Sequence, residues 1–215
     1  MSAVTEKVHN YFSQFPRREY PKGQILIFAD EDPEHLFYIV EGRVRKYDVS
    51  YRGEEVIINV YQNPAIFPIS WALNHTPNRY FYKTETPVVL HVIPAESVVQ
   101  YLERNPDVTI DLVKRIYQGL EGLYGRMVHL MSGSAGSRLV YELLIECRRF
   151  GEKLPDGSNL LHTNEVDLAA RSGLSRETVS REMQKLKAKD WVTVGKNAIT
   201  IHDVDTLQKS LGGGV

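Results

Sequence analysis

Four polar side chains spaced for one helical face stand out in the stretch TNEVDLAARSGLSRETVSREMQKLK, Thr163 to Lys187. Glu177, Ser180, Arg181 and Gln184 fall at i, i+3, i+4 and i+7, so a helix sets them in a single polar stripe. These residue types match base edges: Arg pairs bidentately with guanine, Glu accepts from cytosine, and Ser serves either way. Val179, Met183 and Leu186, at i, i+4 and i+7, form the stripe that must be buried. Upstream, Leu168 and Ala169 give the apolar side of a shorter helix. Between the two, Gly173 suits a turn that needs φ > 0, and Ser175 suits the N-cap of the second helix. Two short helices across such a turn predict a helix-turn-helix, whose second helix enters the major groove. The candidate DNA contacts are Thr163, Ser175, Arg176, Glu177, Thr178, Ser180, Arg181, Gln184 and Lys187. An ordinary amphipathic surface helix carries the same pattern, so the rest of the chain has to weigh in.

The chain has 215 residues, a formal net charge of −1 and a pI near 6.7, so any nucleic-acid footprint must be local. From Thr163 to Lys189 six basic residues stand against four acidic ones, a mild positive patch. Cys147 is the only cysteine. That excludes an internal disulfide and an iron–sulfur cluster held by four thiolates of one chain. Within an apolar helical run, Cys147 reads as a small buried hydrophobe. The sequence contains neither a leader-like start nor an apolar run long enough to span a bilayer, so a cytoplasmic protein with no membrane partner is expected.

The elements that position the stripe follow in chain order. A short helix is expected around Val8, Tyr11 and Phe12. From Tyr20 to Ile93 short β-rich runs alternate with turn residues: Gln24–Phe28, Leu36–Val40, Arg43–Val49, Val56–Tyr61, Tyr80–Thr84 and Val88–Ile93. Short strands with frequent turns predict a small antiparallel jelly roll. A short helix follows over Pro94–Asn105. Next, Val113, Ile116, Leu120, Leu123, Met127 and Leu130 are spaced 3, 4, 3, 4, 3, an a/d seam of about two and a half heptads. A two-fold dimer satisfies such a seam and suits a helix-turn-helix; an intramolecular seam along the barrel is the alternative. The run Met131-Ser-Gly-Ser-Ala-Gly-Ser137 is expected to break the helix as a hinge. Leu139, Val140, Leu143, Leu144, Cys147 and Phe150 then give another apolar helix face, Pro155-Asp156-Gly157 a turn, and Leu160–His162 a short strand. After the helix-turn-helix, Trp191–Val194 and Ile199–Ile201 flank Gly195-Lys196-Asn197 as a hairpin wing, and the Gly-Gly-Gly-Val tail is expected to fray. The fold class is α+β: a jelly-roll effector domain over 1–105, a dimerisation helix over 106–131, and a winged helix-turn-helix over 132–215.

This order of parts resembles the cyclic-AMP receptor/fumarate-nitrate regulator (CRP/FNR) superfamily of bacterial transcription factors over nearly the whole chain. Its sharpest point is Arg176-Glu177-Thr178-Val179-Ser180-Arg181, which is similar to the family's recognition helix. The resemblance implies a dimer on palindromic double-stranded DNA with TGA-containing half-sites, Glu177 and Arg181 reading the C·G and G·C pairs. Ser180 matches the fumarate-nitrate branch and Arg176 the cyclic-AMP branch, which leaves the outer bases open. It also implies that the Pro155–Asn159 turn is a candidate contact for RNA polymerase.

The sensor half departs from the cyclic-nucleotide pattern, in which Gly-Glu precedes a short helix and Arg-Ser/Thr-Ala follows a loop. The corresponding residues are Ile66-Phe67-Pro68-Ile69-Ser70-Trp71-Ala72-Leu73 and Arg79-Tyr80-Phe81. A carboxylate is missing there, and bulky aromatics follow the arginine, so cyclic AMP is not the expected effector. The N-terminal cysteines of the oxygen-sensing branch are missing too. Phe67, Ser70, Trp71, Arg79, Tyr80 and Phe81 are the candidate effector pocket, with Tyr82 nearby; packed barrel core is the alternative for the aromatics, and a solvated loop for Arg79. Some members of the family bind haem, so the resemblance offers an axial-ligand role for His75, with a solvated loop residue as the alternative. The effector itself stays unknown. Two other classes remain: a jelly-roll metal-dependent enzyme and a non-specific architectural DNA binder. The seven histidines never form His-x-His, so no metal or catalytic site is expected, and the near-neutral charge disfavours binding through phosphates alone.

Overall fold

The computed structural model describes residues 2–212; the tail expected to fray lies outside the described residues from position 213. Two compact units divide between Ile116 and Tyr117. The first holds α1 (Ala3–Phe12), β1 (Arg17–Tyr20), β2 (Ile25–Ile27), β3 (His35–Glu41), β4 (Arg43–Val49), β5 (Glu55–Gln62), β6 (Ala65–Phe67), α2 (Ile69–Asn74), β7 (Phe81–Thr84), β8 (Val88–Pro94), α3 (Ala95–Arg104) and the first turns of α4 (Pro106–Ser132). Its strands form two antiparallel sheets, ordered β1-β8-β3-β6 and β2-β7-β4-β5.

Strand alternation decides what each sheet buries. On β3, Phe37 and Ile39 face the second sheet, whose Ile27, Val44 and Tyr82 complete the barrel core with Phe67, Val88 and Leu90 of the first sheet. Leu36 and Tyr38 face the opposite way, onto Val8 and Phe12 of α1 and Val98, Tyr101 and Leu102 of α3. The β3–β4 turn needs Gly42: its φ is +84°, and a Cβ there would lie 2.2 Å from the Pro87 carbonyl oxygen. The strands fall where the hydrophobic pattern placed them, within two residues at each end, and α1 forms in the region of the short helix expected around Val8, Tyr11 and Phe12. β1, β6 and α2 carry no such pattern. β1 reads Arg-Arg-Glu-Tyr, and it is a strand because its backbone pairs with β8 from Arg17↔His91 to Tyr20↔Val88.

The second unit holds the remaining turns of α4, α5 (Ala135–Phe150), β9 (Glu152–Lys153), β10 (Asn159–Leu161), α6 (Glu165–Ser172), α7 (Arg176–Ala188), β11 (Val192–Val194), β12 (Ile199–Ile201) and α8 (Val204–Lys209). Its core joins Leu139, Leu143 and Leu144 of α5 to Leu168, Val179, Met183, Ile199 and Ile201. The expected seven-residue hinge is shorter. α4 runs to Ser132 and α5 starts at Ala135, with Ser134 as its N-cap, accepting from the Ser137 N–H at 3.1 Å. Arg138 donates to the last-turn carbonyls of α4, to Leu130 at 2.9 Å and to His129 at 3.3 Å, the latter also accepting from the Gly133 N–H at 3.0 Å.

α4 is broader in its apolar exposure than one seam. Val113, Leu120 and Met127 stand at the centre. Ile116, Leu123 and Leu130 flank them on one side, and Ile110, Tyr117, Tyr124 and Met131 on the other, all exposed. Gly122 and Gly125 lie on the far side of the helix. The Tyr141 side chain of α5 sits against Gly125, where a Cβ would come within 1.9 Å of its hydroxyl, and that hydroxyl donates to the Gly122 carbonyl at 3.2 Å.

Two carboxylates of α5 are buried. Glu142 is gripped by Arg126 of α4 through both oxygens, and Glu146 pairs with Arg171 of α6, both partners at 4% side-chain exposure. Replacing Glu146 with Leu strips Arg171 of its carboxylate. The expected loss is about 3–5 kcal/mol, and adding Arg171→Met should recover most of it. Denaturant titration followed by Trp191 fluorescence in a Trp71→Phe background checks this; a loss below ~1 kcal/mol for the single variant would show that the pair carries no such role.

Candidate nucleic-acid interface

Local sequence fixes the two helices of the interface. Asn164 caps α6, its side-chain oxygen accepting from Val166 N–H at 2.9 Å and Asp167 N–H at 3.0 Å. Gly173 ends α6 at φ 64°, as its lack of Cβ allows. Ser175 caps α7 by accepting from the Thr178 N–H at 3.2 Å. Val179, Met183 and Leu186 are buried. With that stripe in the core, Glu177, Arg181 and Gln184 are exposed and Ser180 is half-exposed. Together with Arg176 and Glu165 of α6 they line one open cleft.

The charges in this cleft suit base edges. Backbone N–H at the start of α7, and then the Ser175 hydroxyl, hold the Glu177 carboxyl below its usual range. It is therefore an acceptor at neutral pH. The Arg181 side chain is 66% exposed, with only a 3.7 Å approach to Glu182. Lys185, by contrast, is tied to Glu182 at 2.7 Å.

Not every expected contact is placed for DNA. Thr163 is 3% exposed, so its side chain cannot reach a phosphate; strand β10 leads it under the start of α6. Ser175 uses its acceptor as the cap, and Thr178 is half-buried beside it. Arg176, Gln184 and Lys187 are exposed as expected. The basic patch is weaker than a residue count suggests, because Arg171 is buried against Glu146. The turn expected to face polymerase is exposed at Pro155, Asp156 and Gly157 but buried at Ser158 and Asn159.

A family model for the cyclic nucleotide-binding domain matches residues 17–105, and one for the Crp-like helix-turn-helix domain matches residues 137–210. The chain belongs to the CRP/FNR family of transcription regulators. The Global nitrogen regulator of Nostoc sp. is 27% identical over 210 residues, covering 93% of this chain and 94% of that one. A CRP/FNR-family transcriptional regulator from Thermus thermophilus has the same fold, with a TM-score of 0.73 at 21% identity over 92% of this chain and 98% of that one. A variant of CooA from Carboxydothermus hydrogenoformans aligns with a TM-score of 0.79 at 21% identity, over 98% and 97% of the two chains. As a family member, the regulator binds DNA through its helix-turn-helix.

In the first unit, the six expected pocket residues do not converge. Phe67 is fully buried between the sheets, stacked on Tyr82 at 5.2 Å, Tyr61 at 5.3 Å and Phe37 at 5.4 Å. One turn of α2 away, Trp71 packs instead toward the α1 and α3 cluster. Ser70 and Arg79 are exposed. Alternation along β7 sends Phe81 outward onto Tyr47, at 5.1 Å, while Tyr82 points inward. His75 is an exposed residue ending α2 at φ 50°. Sequence reasoning missed Asn78, whose buried amide donates to the carbonyls of Phe28 at 2.8 Å and Tyr80 at 2.9 Å. It also missed Lys46, on the same strand face as buried Val44, a parity readable in Arg43–Val49. Among the described residues no helix is long and apolar enough to cross a membrane, and no group of three metal-ligating side chains occurs.

Proposed function

We propose that the regulator acts as a homodimer on a palindromic operator with TGA-containing half-sites, under an effector other than cyclic AMP, and that it regulates genes rather than catalysing a reaction in the cytoplasm. The observation that carries this is α7: one side dry in the core, the other presenting Glu177, Ser180 and Arg181 together in an open cleft. Arg181 is the bidentate reader of guanine and Glu177 the acceptor for cytosine. The broad apolar face of α4, exposed along its length, supports pairing of two α4 helices about a two-fold axis. The Pro155–Gly157 tip is the surface we assign to RNA polymerase.

Cyclic AMP fits the sensor poorly. Where the family pattern has a carboxylate for the ribose hydroxyl, the chain offers half-buried Ile69 and exposed Ser70. A desolvated hydroxyl left unpaired costs about 1–3 kcal/mol. The stacked rings of Phe67, Tyr61 and Tyr82 also lie between the sheets. Isothermal titration should show no micromolar binding of cyclic AMP; such binding with tighter operator affinity would overturn this reading.

Replacing Arg181 with Ala should cost roughly 1–3 kcal/mol of discrimination at one base pair, read by binding-site selection. An unchanged selected motif would refute the assignment. Replacing Leu120, at the centre of the apolar face, with Glu buries a charge in the dimer. Sedimentation should then show at least a ~100-fold weaker dimer, about 3 kcal/mol, with operator binding lost in step. A wild-type protein that is monomeric at micromolar concentration would defeat the dimer.

A further inference from the structure

Lys46 lies on the inner face of the β2-β7-β4-β5 sheet, and its surroundings are unlike those of the other cations in that sheet. Its cross-strand neighbours are Tyr82 on β7 and Asn59 on β5, and directly opposed residues share a face. Val44, two residues earlier on the same face, is in the barrel core with Tyr82. The outer face is charge-balanced: Arg45 meets Glu55 at 3.1 Å and Glu85 at 3.2 Å, Lys83 meets Glu55 at 2.6 Å, and Arg43 approaches Glu85 at 4.0 Å. Among the described residues Lys46 has no carboxylate partner.

What it has instead is a set of tyrosine rings. The ammonium sits 4.0 Å from the centre of the Tyr80 ring and 5.9 Å from that of Tyr82, a cation–π arrangement. Tyr82 is hydrogen-bonded to Tyr61, and burial pushes its phenol pKa upward, so it stays neutral. We propose that Lys46 anchors an effector site on this inner face and that the effector is a small anion bearing a carboxylate or phosphate; this rests on the reading of the unit as a sensor.

The argument is one of unmatched charge. Burial lowers the Lys46 pKa, which means that the ammonium has lost water without gaining a counter-ion. π-Faces and phenol dipoles compensate part of that loss. An anion at the ammonium compensates the rest, and the neutral phenols around it can donate hydrogen bonds to its oxygens. Lys46 is half-buried, so an ion can reach it from solvent.

The test uses the full chain with sodium phosphate, sodium succinate and cyclic AMP, each against sodium chloride at matched ionic strength. Melting temperature and the Lys46 13Cε NMR resonance, assigned by its loss in Lys46→Met, are the readouts. Phosphate or succinate should move that resonance saturably and raise the melting temperature; which one does so identifies the anionic group. Lys46→Met should weaken the response at least tenfold, while Lys46→Arg and the outer-face control Lys83→Met keep it. The inference is overturned if neither ion shifts the resonance beyond chloride, if only cyclic AMP does, or if Lys46→Met responds like wild type. Operator selection on the same wild-type sample separates the two readings. A chain that selects an operator but ignores both ions refutes the anion site alone. One that responds to an ion but selects no operator refutes the regulator reading alone.

Discussion

The recognition surface depends on two carboxylates buried one helical turn apart on α5. Glu142 and Glu146 occupy adjacent turns, and each is gripped by an arginine from a different helix, Arg126 of α4 and Arg171 of α6. Buried ion pairs of this kind contribute little net stability, because desolvation offsets their attraction. Mismatching them is expensive, however. A slip of α6 along α5 by one turn would strand a charge in the core beside Leu143 and Leu168. The pairs thus set a register that apolar contacts alone would leave looser. α7 inherits that register, since Val179 and Met183 pack into the same core as α5 and α6. Which residues of α7 face outward is decided by how completely its other stripe is buried.

α4 illustrates a division of labour on one helix. The Tyr141 side chain lies against Gly125 and donates to the Gly122 carbonyl, and a Cβ at position 125 would force it to shift. Each glycine costs the helix about 0.5–1 kcal/mol against alanine. Wide apolar exposure on the other side supplies the compensation once that face is covered. A helix so built is less suited to standing alone than to having a partner.

Much of this was legible from periodicity. The polar and apolar stripes of α7, the Gly173 turn and the Ser175 cap follow from local spacing, and local spacing is what a helix obeys. Elements held by their neighbours were not legible: β1 is charged, β6 has three residues, and the order of strands across two sheets depends on distant pairings. Residue type misled where context overrides it. Arg171 and Thr163 look like surface groups and are buried; the cluster Phe67, Trp71, Tyr80, Phe81 looks like one pocket and is dispersed by strand alternation and a helical turn. The parity that puts Lys46 beside Val44 was readable, but only its missing carboxylate, visible in three dimensions, gives that placement meaning.

The modest charge of the interface constrains how the regulator recognises DNA. With Arg171 buried and Lys185 tied to Glu182, the exposed cations around α7 are Arg176, Arg181, Lys187 and Lys189, and the first two share their cleft with the carboxylates of Glu165 and Glu177. Non-specific affinity grows with the number of phosphates neutralised, and here that number is small. One helix-turn-helix of this composition should release DNA readily wherever its base contacts are unmet. On the proposed homodimer, specific binding comes from the proposed Glu177 and Arg181 contacts, doubled by linkage of two such helices, which makes the second contact intramolecular. A weakly charged reader gains in discrimination what it lacks in attraction, and under that proposal the two-fold assembly, rather than any one helix, is the unit that binds.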